Sequence, residues 1–172
     1  MRQRQIRKGG QVLRWHTTPP IRAQTVAEHS WGVAALCHEL WPDCSRDLIL
    51  AALYHDVPEG VTGDTPYTAK SRYPEVASAL AIAESDLFFE IGIMDHALLS
   101  DKDKRRLKIA DMVELCIFCK EEISRGNDNF YDPLDKGRSV VQELVLELQD
   151  ETEELYTSIT ALIINWEMER GI

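Results

Sequence analysis

LYHDVPEG, residues Leu53 to Gly60, closes an apolar run on an imidazole and a carboxylate, and sets a second carboxylate three residues further on. Upstream, Leu48, Ile49, Ala52 and Leu53 recur at the spacing of one helical face, which predicts a helix from about Ser45 to Asp56. Pro58 disfavours helical geometry at Val57 and so ends it. In a regular helix His55 and Asp56 would point about 100° apart. They reach a common point most easily where the helix is ending, so this stretch reads as one part of a site built on helix ends.

Outward from it the chain continues as helices. From Thr25 to Trp41 apolar residues recur at Val26, Val33, Leu36, Cys37 and Leu40, with Thr25 and Glu28 spaced as a capping box and Pro42 as the stop. A third helix follows Pro74 and carries Val76, Leu80, Ala83, Leu87 and Ile91. A fourth spans about Asp101 to Arg125, with Asp101 as the expected N-cap and Gly126 as the C-terminal stop. TGDTPYTAKSRYP and GNDNFYDPLDKG are dense in turn formers and read as loops. A last helix is expected from about Gly137 to Glu169, with a break near Gln149 to Thr152 and Trp166 on its apolar stripe. No alternating run suggests a strand, so the expected class is all-α, in one domain covering residues 1–172.

The net charge of −10 argues against a long nucleic acid as partner, because such binding needs a broad basic surface. Residues 1–22 nevertheless hold six basic side chains and no acidic one, which suits a small anionic ligand; Arg2 and Arg4 read as part of a solvated tail, Arg14 does not. No apolar run approaches the roughly 18 residues needed to span a bilayer. The expectation is a soluble protein with no membrane partner, in the cytoplasm, or in the host cytoplasm if it is encoded by a phage. Cys37, Cys44, Cys116 and Cys119 read as reduced core thiols rather than a disulfide or zinc set.

His29 lies inside an apolar helix, and Asp111 sits among Ile109, Ala110, Met112 and Val113. Alone, His29 would most often be a hydrogen-bonded core histidine and Asp111 a capped or exposed carboxylate. Together with His55 and Asp56 they form a donor set suited to a borderline divalent ion such as Zn, Co, Mn or Fe. A buried carboxylate is costly without such a partner.

The words AEHS at 27–30, YHDVPE at 54–59, TGD at 62–64 and KIAD at 108–111 closely resemble the HD-domain metal-dependent phosphohydrolases. The resemblance is to the branch of bacterial 5'-deoxynucleotidases and phage deoxynucleoside triphosphohydrolases, and it implies an HD-domain helical bundle. It also implies that His29, His55, Asp56 and Asp111 are metal ligands, with a second divalent ion such as Mg as a further expectation. By the same resemblance Glu59 handles protons, Asp64 accepts a hydrogen bond from the sugar 3'-hydroxyl, and Lys70 adds positive charge from the substrate loop. Arg14 meets phosphate, and Trp15 closes against the sugar so that a 2'-hydroxyl is crowded out. Lys108, three residues before Asp111, lies on the same helical face and is placed for a phosphate, although a simple ion pair with a neighbouring Asp is equally natural. Thr17 and Pro66 join Trp15 as candidates for the base pocket.

The activity expected first is that of the phage enzymes that convert dATP to deoxyadenosine and triphosphate and so deplete dATP. The alternative is a 5'-deoxynucleotidase acting on deoxynucleoside monophosphates. Hydrolysis of a cyclic or signalling nucleotide, and non-catalytic nucleotide binding, rank lower. The family resemblance also implies a homo-oligomer.

Overall fold

The computed structural model describes residues 2–147 and 153–164. Nine α-helices are present among them: α1 (Arg2–Gly10), α2 (Val26–Leu40), α3 (Arg46–Tyr54), α4 (Glu59–Thr62), α5 (Tyr67–Arg72), α6 (Pro74–Ile91), α7 (Asp101–Ser124), α8 (Tyr131–Leu146) and α9 (Glu153–Ile164). Among the described residues there is no strand; a lone antiparallel bridge joins Leu13 to Thr25. The all-helical class expected from the periodicity is the one observed.

The long α7 is the axis of the bundle, about 36 Å long at the usual helical rise. It packs against α2, α3, α8 and α9. Val33, Leu36 and Cys37 of α2, Leu48, Ala51 and Ala52 of α3, and Ile109, Ala110, Val113, Cys116, Phe118 and Cys119 of α7 form the buried centre. Val141 and Val145 of α8 and Ile159 of α9 complete it. All four cysteines are free. Burial pushes the Cys37 and Cys116 thiols up to about 12, which suits inert core residues. No helix among the described residues is long and apolar enough to cross a membrane.

The caps follow local chemistry. Thr25 accepts from the Glu28 amide, and Ser45 accepts from that of Leu48. For α7 the cap is Ser100, which accepts from the Asp103 amide, and not Asp101, which is the first helical residue. Pro74 opens α6 as expected, but the buried side chains of that helix are Phe88 and Ile91, while Val76 is exposed.

Three segments differ from the sequence expectation. Arg2 and Arg4 are exposed, yet they belong to α1 and not to an unstructured tail. The turn-rich stretch after Asp64 contains α5, and the stretch expected to be a loop until Gly137 already turns helical at Tyr131. The expected break near Gln149 to Thr152 and the stripe residue Trp166 fall outside the described residues.

Helix α1 is held by a close backbone crossing. A β-carbon on Gly9 would lie 2.3 Å from the Val57 carbonyl oxygen, and one on Gly60 would lie 2.9 Å from the Gly9 nitrogen. The last residue of the LYHDVPEG stretch is therefore glycine because α1 passes directly over it. Beside this crossing Val57, Phe88, Ile91 and Ile93 form a second, smaller core with Ile6, Tyr54 and Leu87 packed against it.

Candidate metal centre and substrate cavity

The turn between α3 and α4 brings the chemistry of LYHDVPEG to the bundle. His55 caps α3, and its Nδ1 lies 2.8 Å from the Ala52 carbonyl oxygen. A carbonyl can only accept, so Nδ1 carries the proton and Nε2 presents its lone pair to the site. His29, on the first turn of α2, is fully buried. Its Nδ1 contacts a Glu114 carboxylate oxygen, and its Nε2 lies 3.2 Å from Asp111 Oδ1 on α7.

One donor atom each from His29, His55 and Asp111 lies within 4.8 Å of the others. Asp56 is adjacent, with Oδ2 3.3 Å from His55 Nε2 and 3.7 Å from His29 Nε2, and that oxygen also accepts from Arg14 Nη1 at 2.8 Å. Asp111 Oδ2 accepts from Lys108 Nζ at 2.8 Å, so the simple ion pair weighed for Lys108 is present.

The Nε2 atoms of His29 and His55 are buried without a hydrogen-bond partner. Two such atoms facing two carboxylates fit a divalent cation, which would satisfy both imidazole lone pairs and the anionic charge together. Burial tends to raise the Asp56 carboxyl, but His55, Arg14 and His29 outweigh it and hold the group far below its usual range. Asp111 is likewise held low against burial by Lys108, His29 and His55. Burial, and for His29 also Arg14, pulls the imidazoles down. The surrounding carboxylates more than reverse this, leaving both histidines above the ordinary value.

Over this cluster lies a cavity of about 590 Å³. Arg14, Trp15, Thr17, His55, Asp56, Glu59, Asp64, Pro66, Lys70, Lys108 and Asp111 all line it; of the residues singled out in the sequence, His29 alone lies behind the wall. Glu59 opens α4 and is only 6% exposed, with Oε2 unpartnered. Burial, then the Asp56 and Asp64 carboxylates, raise its carboxyl to about 8, against the opposing pull of Arg14 and Lys70. Asp64 lies 3.6 Å from His16 Nδ1.

Trp15 is more than a wall. Its backbone is left-handed at φ 66°, a conformation that costs a bulky residue about 1–3 kcal/mol. The surroundings over-determine it: the ring stacks on Phe118 at 5.7 Å, meets Phe130 edge-on at 4.9 Å, and Nε1 donates to Gln24 Oε1 at 2.9 Å. Glu122, completely buried, accepts from the backbone amides of Ile21 and Arg22 and from Asn127, pinning the segment that carries Arg14 and Trp15 onto α7. Burial opposes the charge on Glu122, and these hydrogen bonds, led by Asn127, overcome it and lower its pKa.

Several lining residues escaped the sequence reading. Lys104 shares a face of α7 with Lys108 and Asp111, a spacing that a search for further cations would have caught. Lys136 lay in the stretch read as loop, and Glu84 lay inside the apolar pattern of α6. His96, in a short 3₁₀ turn, has no periodic signal.

Residues 4–154 match the family described as 5'-deoxynucleotidase YfbR-like. The chain belongs to that family. It is an HD-family phosphohydrolase of deoxynucleotides, as the words around His29, His55, Asp56 and Asp111 led one to expect. The 5'-deoxynucleotidases of Yersinia pestis (strain Pestoides F) and Yersinia pseudotuberculosis serotype O:3 (strain YPIII) are each 29% identical to this YfbR-like chain, covering 69% of it and 72% of their own length. Two solved structures share the fold at 20% identity. The PH0347 protein of Pyrococcus horikoshii OT3 has a TM-score of 0.70, covering 94% of this chain and 98% of its own. The cyanophage S-2L HD phosphohydrolase DatZ, bound to dA and one catalytic Zn²⁺ ion, has a TM-score of 0.66, covering 96% and 94%.

Proposed function

We propose that this YfbR-like chain is a metal-dependent 5'-deoxynucleotidase that cleaves the phosphate ester of a deoxynucleoside monophosphate. The observation that carries the reading is the pair of unpartnered, buried imidazole nitrogens facing Asp56 and Asp111 at the floor of a cation-lined cavity. His29, His55, Asp56 and Asp111 are the residues that would hold the ion. Zinc is the first choice, because the donor set suits it and DatZ carries a catalytic Zn²⁺. A bound divalent ion supplies Lewis acidity toward phosphate oxygens and a more acidic water.

The chain's own side chains supply the rest. Arg14 offers a planar fork to two phosphate oxygens, and Lys108 and Lys70 neutralise charge that grows on the phosphate as the ester bond breaks. Glu59, raised to about 8, is protonated at neutral pH in the metal-free protein and is suited to hand its proton to the departing 5'-oxygen. Asp64 accepts from the 3'-hydroxyl, and the indole of Trp15, with Thr17 and Pro66, forms the wall that selects sugar and base.

The matches to 5'-deoxynucleotidases favour this reading over the dATP triphosphohydrolase that the sequence first suggested. One observation supports the latter as the second reading: Lys104 and Lys136 line the same cavity, giving a longer phosphate chain further cations to meet. Self-association is proposed on separate grounds, since Ile82 and Phe89, seven residues apart on α6, are 67% and 91% exposed. Incubating zinc-loaded protein with dAMP, dATP and AMP and separating the products decides the substrate. Orthophosphate from dAMP with dATP untouched supports the first reading, and triphosphate from dATP supports the second. Equal turnover of AMP and dAMP would rule out the sugar selection assigned to Trp15.

A further inference from the structure

Glu114 sits one turn beyond Asp111 on α7 and is 12% exposed, yet it faces the protein and not the cavity. Its two carboxylate oxygens divide their work. Oε2 contacts His29 Nδ1, and Oε1 accepts from Gln24 Nε2 at 2.8 Å. Gln24 is 1% exposed and uses the other end of its amide to accept from Trp15 Nε1. The polarity of this chain is forced. An indole N–H only donates, so the amide oxygen must face Trp15, and the amide NH₂ then points at a carboxylate that can only accept.

Two runs of hydrogen bonds therefore end on Glu114, one from the cavity wall and one from the buried imidazole. With Nδ1–H committed to the carboxylate, His29 holds its lone pair on Nε2, the atom that faces Asp56 and Asp111. Gly32 of α2 makes the arrangement possible. A β-carbon there would lie 2.9 Å from Glu114 Cγ and 3.4 Å from Oε1, so α2 gives up a side chain where the carboxylate passes.

We propose that Glu114 is a positioning residue, which fixes the metal-facing tautomer of His29 and, through Gln24, ties that ligand to the Trp15 wall of the cavity. This rests on the metal site proposed above and assigns Glu114 no contact with substrate. Glutamine at this position would have one acceptor oxygen and could not serve His29 and Gln24 together.

The test uses zinc alone as the probe, in competition with a chromophoric chelator, on the full chain and its Glu114→Gln and Gly32→Ala variants. For Glu114→Gln the zinc dissociation constant is expected to rise about 10- to 100-fold. Imidazole ¹⁵N spectra of the metal-free protein at alkaline pH, where the ring is neutral, should change with it, from a single Nδ1–H form of His29 to a mixture. Gly32→Ala leaves the carboxylate's chemistry intact and raises intrinsic helix propensity by about 1 kcal/mol. It should weaken zinc in the same direction by displacing Glu114, and it carries the test if Glu114→Gln does not fold. Wild-type protein that binds zinc, with both variants within about twofold of it and an unchanged His29 tautomer, overturns the inference alone. Wild-type protein that takes up no zinc overturns the metal site and the inference with it.

Discussion

Glu59 condenses the electrostatics of the site into one side chain. Its carboxyl is raised to about 8 chiefly by burial, with Asp56 and Asp64 adding to the effect. In the folded, metal-free chain it keeps its proton at pH values where the unfolded chain has already lost it. Because the native state then binds more protons, stability falls as pH rises from the ordinary glutamate value toward 8. Glu59→Gln removes that slope while keeping the shape of the group. The variant is expected to be more stable than wild type at pH 8, by an amount on the order of a few kcal/mol, and nearly equal to it at pH 4. Urea melts of both chains across that range measure the difference, and parallel stability curves would mean that Glu59 titrates in the folded chain where it does in the unfolded one. In turnover the same variant should lose most of its kcat with little change in KM, because a neutral amide has no proton of suitable acidity to give.

At the scale of elements, what could be read in advance followed from local rules. Thr25 caps α2, Pro74 opens α6 and Gly126 ends the region of α7 in a left-handed turn, each a preference that a few adjacent residues determine. The candidate metal donors were legible because His29, His55 with Asp56, and Asp111 carry distinctive flanking words. Glu114 had no such word and only its spacing from Asp111 to mark it. What could not be read depends on tertiary contact. Helix α1 is polar enough to pass for a tail, and it exists against α4 through the crossing of Gly9 and Gly60. Helix α5 and the start of α8 lie in turn-forming sequence that packing overrides. Replacing Gly9 with Ala tests the crossing. The new carbon would meet the Val57 backbone, which cannot rotate away, so α1 must lift from α4. A loss of about 1–3 kcal/mol in chemical denaturation is expected, together with reduced activity, because Val57 lies between Asp56 and Glu59. A Gly9→Ala chain as stable as wild type would mean that α1 is not held by this contact.

Across the whole molecule, the candidate centre brings together three separate parts of the chain: the first turn of α2, the end of α3 and the middle of α7. An ion bound there would lock the three together, and its effect should depend on pH in a way that identifies the donors. In the metal-free chain both imidazoles sit above the ordinary histidine value because the carboxylates around them outweigh burial. That contribution to stability is complete below the unfolded histidine value of about 6.5 and is lost as pH rises through the elevated folded values. Zinc works in the opposite sense, since it competes with protons for the same nitrogens and binds more tightly as pH rises. The zinc-induced rise in Tm is therefore expected to be small at pH 5.5 and to grow toward pH 8. Where free zinc reaches a hundred times its dissociation constant, the gain should be about 2.7 kcal/mol. Chelation should reverse it, and His29→Ala should abolish it at every pH. A zinc shift of equal size at both ends of this range would point to binding by carboxylates alone, and His29 and His55 would then have to be removed from the site.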